Sequence, residues 1–430
     1  MWLIDTETLK LVNITNPWKG SYAILSHTWD DEQITFQNFS DLTKARKIRG
    51  FTKIEKTCQL AREKHMLQYA WVDTCCIDKT SSAELSEAIN SMFRWYQAAA
   101  VCFVYLSDLP PNPPGISHGP GEGIPGTKGF THAQLERCKW FRRGWTLQEI
   151  LAPRNVEFYD ADWGFIETKD SWLLEPLSEI TGINTACLRH GSQIWDQPIG
   201  TRMQWAADRQ TTRPEDTAYC LLGIFEINMP LLYGEGSKAF LRLQEEICKQ
   251  SNDLTLFAWT TQPGHAFSLF DKYRGIFAMH PCEFAVFRGR GRQPSEVTFR
   301  GELAVTNKGL RFDDVLLYKS ELGLILPVDC IGPDPKEEGR EVSYGILLML
   351  TWDGYIRREP GVLAVLPRNR VSDIPPHRIY VQKQMPLSWS GFIQPEHRYS
   401  DAIFFKFQGE VDPIIMNKIL WVYALTCEWP

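Results

Sequence analysis

The order of hydrophobic patterns predicts a mixed α/β chain: a helix-covered parallel sheet, then a helical stretch, then an antiparallel β domain. Three observations carry this. Strand-sized apolar runs alternate with helix-period segments as far as Tyr159. From about Thr201 to Gln250 the spacing is helical. Beyond Ser251 the chain breaks into short β-rich runs separated by Gly, Pro and Asp.

Tyr22–Leu25 reads as the first strand. Thr52-Lys53-Ile54-Glu55 has the spacing of a capping box and opens a helix with Ile54, Cys58 and Ala61 on one face. Tyr69–Val72 is the next strand. Ser81-Ser82-Ala83-Glu84 is a second box, followed by Leu85, Ile89, Met92, Phe93 and Tyr96 at helical intervals. Val101–Leu106 is a third strand, and Pro110–Gly129 an exposed loop or insertion. A helix is expected from about Ala133 to Leu151, stopped by Pro153, with Val156–Tyr159 as the fourth strand. Strands separated by helices call for a parallel sheet with right-handed crossovers.

Further on, Arg213-Pro214-Glu215-Asp216 places Pro and acids at a helix start. Phe240, Leu243 and Ile247 form an apolar stripe. The later strand-like runs are Ala285–Phe287, Glu302–Val305, Val315–Tyr318, Leu322–Leu326, Gly345–Thr351, Val362–Leu366, Ala402–Phe407 and Ile419–Leu425. They suggest a sandwich or barrel. The expected divisions are 1–195 for the α/β domain, 196–252 for a helical connector and 253–430 for the β-rich domain.

A chain of 430 residues is too long for one ordinary core. Its 43% hydrophobic and 23% charged residues are the balance of a folded soluble protein. A net charge of −6 and a pI near 5.9 argue against bulk electrostatic binding of nucleic acid. No secretory signal is visible at Met1–Asp5, and the longest apolar runs are too short to span a bilayer. Eleven dispersed cysteines, with no C-x-x-C pair, read as reduced thiols in a cytoplasmic protein.

Three islands hold the candidate chemistry: Tyr22 to Trp29, Tyr69 to Asp78 and Arg143 to Glu149. In the first two, an apolar strand runs into polar side chains, where open α/β sheets build ligand sites. Ser26, His27, Trp29 and Asp73 are therefore candidate substrate-binding residues. On one continuous helix Phe141, Trp145 and Glu149 would share a face, leaving the carboxylate partly desolvated. Trp145 is then a ring for stacking. The plainer alternatives are a surface Glu149 paired with Arg142 or Arg143, a structural His27, and an Asp73 that caps a turn. Cys75 and Cys76 point to opposite faces of an extended chain, so core packing fits them better than a shared metal; no metal site is expected. A thiol enzyme pairing one of them with His27 lacks any neighbour that lowers a thiol pKa. Gly121–Lys128 lacks the Gly-Lys-Ser/Thr order of a phosphate loop.

In this order the islands resemble the heterokaryon-incompatibility (HET) domain of filamentous fungi, over roughly Ser21 to Tyr159. The stretch Asp208–Tyr219, with Leu221–Phe225 and Leu231–Gly236, resembles the segment that commonly follows it. The resemblance implies non-self recognition and regulated cell death, a form of innate immunity. HET domains are in turn similar to Toll/interleukin-receptor-like (TIR) domains, which implies a flavodoxin-like parallel sheet and, in some members, NAD cleavage. Trp145-Thr146-Leu147-Gln148-Glu149-Ile150 is similar to the Trp-Cys-x-x-Glu-Leu pattern of catalytic TIR domains, with Thr146 in place of Cys. By that resemblance Glu149 is the catalytic residue and NAD a substrate, with no cofactor. Self-association is implied as the gate, and a protein partner is expected for the β domain. The alternative is a non-enzymatic module signalling through homotypic HET contacts.

Overall fold

The computed structural model describes residues 1–15, 21–29, 32–111, 132–261, 272–288, 293–294, 299–351, 354–366 and 376–384. The chain divides into two units, Met1–Ile247 with Met279–Gly289, and Cys248–Ala278 with Arg290–Pro430.

The first unit is built on a seven-stranded sheet of β1 (Trp2–Asp5), β2 (Leu11–Asn13), β3 (Tyr22–His27), β4 (Tyr69–Trp71), β5 (Val101–Tyr105), β6 (Val156–Tyr159) and β7 (Phe165–Thr168). The spatial order is β2-β1-β4-β3-β5-β6-β7. The four strands expected from sequence are the four that pair in parallel. Strands β3 and β6 are buried along their whole length, as a sheet covered on both faces requires. The β1–β2 hairpin and β7 add antiparallel edges that the apolar runs did not announce.

Two helical turns, α1 (Phe36–Phe39) and α2 (Leu42–Ala45), precede α3 (Phe51–His65), which buries Ile54, Cys58 and Ala61 as its spacing requires. The box at Thr52 does not form. The cap of helix α3 lies two residues earlier, at Gly50, where a Cβ would come within 2.4 Å of the Glu32 carbonyl oxygen. Backbone packing sets this entry, not a side-chain cap. Helix α4 (Ser82–Ala98) does begin at Ser81, whose hydroxyl accepts the Glu84 N–H. The Glu84 carboxylate takes the Asp78 N–H, so the box is only half closed.

The helix expected over residues 133–151 is a correction. It is three pieces: α5 (His132–Arg137), α6 (Lys139–Arg142) and α7 (Thr146–Leu151). The chain turns extended at Arg143 (φ −82°, ψ 135°) because this stretch pairs with Gln210, which accepts the Gly144 N–H and donates to the Arg142 carbonyl. Phe141, Trp145 and Glu149 therefore do not lie on one helix.

Residues 199–247 belong to the first unit, in helices Ile199–Gln204, Asp216–Tyr219 and the start of Lys238–Cys248, with Phe240, Leu243 and Ile247 buried. The turn Leu222–Ile224 packs so closely on α4 that a Cβ at Gly223 would meet the Phe93 Cβ at 2.1 Å. The expected strand at Ala285–Phe287 is also corrected: it is part of a 3-10 helix, Pro281–Phe287, started by Pro281 and capped by the His280 side chain.

The second unit carries an antiparallel-rich sheet. Its path is Leu303–Thr306, Gly309–Val315, His377–Val381, Gly354–Arg358, Glu341–Thr351, Gly323–Pro333 and Tyr318–Ser320, with one parallel pairing, Tyr355 to Val381. The expected runs at 302–305, 322–326, 345–351 and 362–366 each overlap one of its strands, whereas the run at 315–318 straddles the break between two, Val315 ending one and Tyr318 beginning the next. The loop at 112–129 and the runs Ala402–Phe407 and Ile419–Leu425 lie outside the described residues. Among the described residues no helix is long and apolar enough to cross a membrane.

Gly223→Ala should lower the stability of the first unit by about 1–3 kcal/mol through overpacking against Phe93. A urea unfolding midpoint equal to wild type would show that this close approach carries no weight.

Candidate functional site

Parallel pairing decides where the polar islands meet. Ile24 lies opposite Trp71 and His27 opposite Tyr105, so β3 and β5 end level while β4 stops three residues earlier, which leaves Asp73, two residues past its end, near Ser26 and His27. Ser26 and His27 occupy the last two positions of β3, and Asp73 follows β4 by two residues. Helix α7 brings Glu149 to the same place. The Ser26 hydroxyl donates to Glu149 Oε2 at 2.5 Å, and the Trp140 indole N–H donates to Ser26 Oγ at 2.7 Å. His27 Nε2 lies 3.0 Å from Asp73 Oδ1, and the Trp29 indole N–H donates to Asp73 Oδ2 at 2.9 Å. The Glu149 residue is only 5% exposed.

Two buried cations hold α7 at its ends. Arg209 donates to the Arg143 carbonyl at 2.9 Å and to Thr146 Oγ1 at 2.8 Å. The Thr146 hydroxyl donates in turn to the carbonyls of Trp140 and Arg143. At the other end Lys169 Nζ donates to the carbonyls of Ile150 (3.1 Å) and Pro153 (2.8 Å), satisfying acceptors that a helix terminus leaves open. Glu149 is fixed between these two anchors.

Electrostatics separate the two carboxyl groups. Burial pushes the Glu149 carboxyl up to about 8, against the Ser26 hydrogen bond; Asp73 adds to the rise, while Arg143 and Arg209 oppose it. Burial acts upward on Asp73 too, but His27, Lys79 and Arg143 hold it well below the usual carboxylate range. Burial lowers the His27 pKa against the pull of Asp73. The pair is thus an ionised Asp73 and a neutral imidazole that donates from Nε2. Its Nδ1 is buried without a partner among the described residues. Near neutral pH the site holds one protonated and one ionised carboxyl group, the usual basis for dividing acid and base roles. Among the described residues no three His, Cys, Asp or Glu side chains converge as a metal site.

The sequence around this site is similar to that of known proteins. A family model described as Heterokaryon incompatibility protein (HET) matches residues 22–113, from the start of β3 past β5. The chain is also 43% identical over 247 residues, 57% of its length, to "Vegetative incompatibility protein HET-E-1" of Podospora anserina. Residues 22–113 carry the HET domain. The matched stretch covers 17% of that relative's own length. No solved structure matches the chain.

Of the residues singled out from sequence, Ser26, His27, Trp29, Asp73 and Glu149 are brought together. Trp145 is not: its indole N–H donates to Asp216 at 3.3 Å, in a separate cluster with Tyr233. Cys75 and Cys76 are buried, and burial raises the Cys75 thiol well above its ordinary value, which removes the thiolate a thiol enzyme needs. Sequence reasoning missed Trp140, which orients Ser26, and Arg209 and Lys169, which hold α7. Gly144, a helix breaker inside the expected helix, was the one available signal that the chain turns near Trp140; nothing local marks the two cations.

Glu149 gives the stability of the unit a defined pH dependence. Its folded pKa lies above the unfolded value of 4.5, so its contribution is complete below 4.5 and lost as pH rises to about 8. Glu149→Gln should therefore be more stable than wild type by about 2–5 kcal/mol at pH 8.5, a gap that closes towards pH 4.5. A gap independent of pH in parallel urea titrations would contradict this assignment. Arg209→Met should cost about 2–3 kcal/mol, because two buried acceptors lose a charged donor. Wild-type stability in that variant would mean the α6–α7 corner holds itself.

Proposed function

We propose that the HET domain hydrolyses the nicotinamide–ribose bond of NAD or a closely related nucleotide, and that this depletion is the lethal step of an incompatibility response. The observation that carries the reading is Glu149, enclosed at the sheet end and hydrogen-bonded to Ser26. Nicotinamide is cationic in NAD and leaves as a neutral base, so no strong acid is needed. The glycosidic electrons go to the ring nitrogen, and an oxocarbenium ion develops on the ribose. A carboxylate beside it stabilises that charge, as in glycoside hydrolysis generally. The incoming pyridinium charge favours loss of the Glu149 proton, so the group ionises when the substrate makes its charge useful. Water adds to C1′, and its proton has an acceptor in His27 Nδ1, while Asp73 holds the imidazole through Nε2. The products are nicotinamide, ADP-ribose and a proton.

Strand order supports the TIR-like reading. Numbered along the chain, the four parallel strands lie 2-1-3-4, the order with which a flavodoxin-like sheet begins. The next strand, β7, departs from that pattern by running antiparallel. The reading further includes a cytoplasmic protein, consistent with the free thiols of all cysteines among the described residues. It also includes self-association as the gate and a protein partner for the second unit.

Mass-spectrometric monitoring of NAD with concentrated, assembled full chain tests the proposal. Wild type should release nicotinamide and ADP-ribose in equal amounts. Glu149→Gln should lose at least about 100-fold in rate, and Ser26→Ala about tenfold. NAD left intact by assembled wild type would sink the enzymatic reading and leave signalling through HET-domain contacts.

A further inference from the structure

Trp29 is an unusual member of the site. It is 46% exposed, yet its indole is pinned to Asp73. Two cations flank it: Lys79 Nζ lies 3.8 Å from the ring centroid and Arg143 Cζ 4.7 Å. Neither cationic side chain forms an ion pair or hydrogen bond among the described residues. The adjacent carboxylate is already committed, Oδ1 to His27 and Oδ2 to Trp29. With Glu149 protonated, the cluster carries two positive charges against one negative, and eight N–H donors of the ammonium and guanidinium groups remain unspent.

We propose that Lys79 and Arg143 form a diphosphate subsite beside Glu149, with Trp29 as its aromatic wall, and that it selects dinucleotide over nucleoside substrates. The proposal rests on the hydrolytic reading for the identity of the substrate, but its own evidence is this uncompensated charge. A diphosphate supplies negative charge to both cations, and the planar guanidinium donates side by side to two phosphate oxygens. The cations lie close to the Ser26–Glu149 pair, since His27 follows Ser26 and is joined through Asp73 to the Trp29 ring that both cations contact. Lys79 belongs to the exposed turn after β4, whereas the Arg143 carbonyl is tied into the α7 anchor; binding at the first cation is thereby joined to the backbone that positions the carboxyl group.

Binding of ADP-ribose, inorganic pyrophosphate and adenosine to the full chain tests this by calorimetry, in a Glu149→Gln background that blocks turnover. ADP-ribose and pyrophosphate should bind, more weakly at higher salt, and adenosine should bind far less. Lys79→Met should weaken ADP-ribose at least about tenfold, and Arg143→Met similarly, with unfolding midpoints near that of the background protein. Hydrolysis of nicotinamide riboside, which lacks the diphosphate, should fall far less than hydrolysis of NAD in Lys79→Met in an otherwise wild-type chain. Undiminished ADP-ribose affinity in Lys79→Met, or equal loss with both substrates, would overturn the subsite. If NAD is cleaved normally by both variants below saturation, the subsite fails while the hydrolytic reading stands. If NAD is never cleaved but ADP-ribose binding depends on Lys79, the subsite stands alone.

Discussion

Enclosing a carboxyl group at the end of a parallel sheet is the constraint on which the rest of the site depends. Glu149 loses its water shell and cannot stay unpartnered at low cost. Ser26 meets that need from the neighbouring strand, and Trp140 fixes the Ser26 hydroxyl so that its proton points at the carboxyl group. A six-residue helix has little stability of its own, so α7 also has to be held from outside. Arg209 and Lys169 do that, each by filling backbone acceptors, and neither spends its charge on a partner carboxylate. The site is thus a buried acid fixed by tertiary contacts more than by the helix that carries it.

This arrangement ties the downstream segment to the HET domain. Arg209 and Gln210 form the other side of the corner at Arg143-Gly144, and Asp216 takes the Trp145 indole that a continuous helix would have turned towards Glu149. Gly223 lies against Phe93 of α4 with no room for a methyl group. Residues 208–223 act as the wall that bends the chain into the site. The 57% of the chain aligned with the Podospora protein is longer than the residues 22–113 matched by the family model, consistent with a unit that extends past the three islands.

The legible parts of the fold were those decided by local sequence. Short, mostly apolar runs rich in β-branched and aromatic residues marked the four parallel strands, and the polar ends of the first two located Ser26, His27 and Asp73. Ser81 marked the start of α4 because its cap is made within one turn. What failed was decided by contacts far along the chain. The helix through Arg143 has good helical spacing, and only pairing with Gln210 breaks it. Gly50 starts α3 because Glu32 lies against it, and Ala285–Phe287, though β-prone, coils behind Pro281. Glu149 was found through its motif, but the expected reason for its desolvation was wrong: Ser26 and Trp140 enclose it, with no stripe of helix-face rings.

The charge pattern argues for a site poised for a ligand of mixed charge. Left alone, Glu149 keeps its proton, Asp73 is ionised and spent on two donors, and Lys79 and Arg143 share one indole face-on. Cation–π contact of that kind is worth about 0.5–1 kcal/mol each at an exposed ring, less than a charge-assisted bond to phosphate. Both contacts are therefore replaceable, which a purely structural pairing would not be. A ligand carrying a positive ring at one end and negative phosphates at the other would satisfy both halves together, ionising the buried acid and occupying the free donors. A neutral or singly charged metabolite could satisfy one half at most, so selectivity here would arise from matching two opposite charges at a fixed separation.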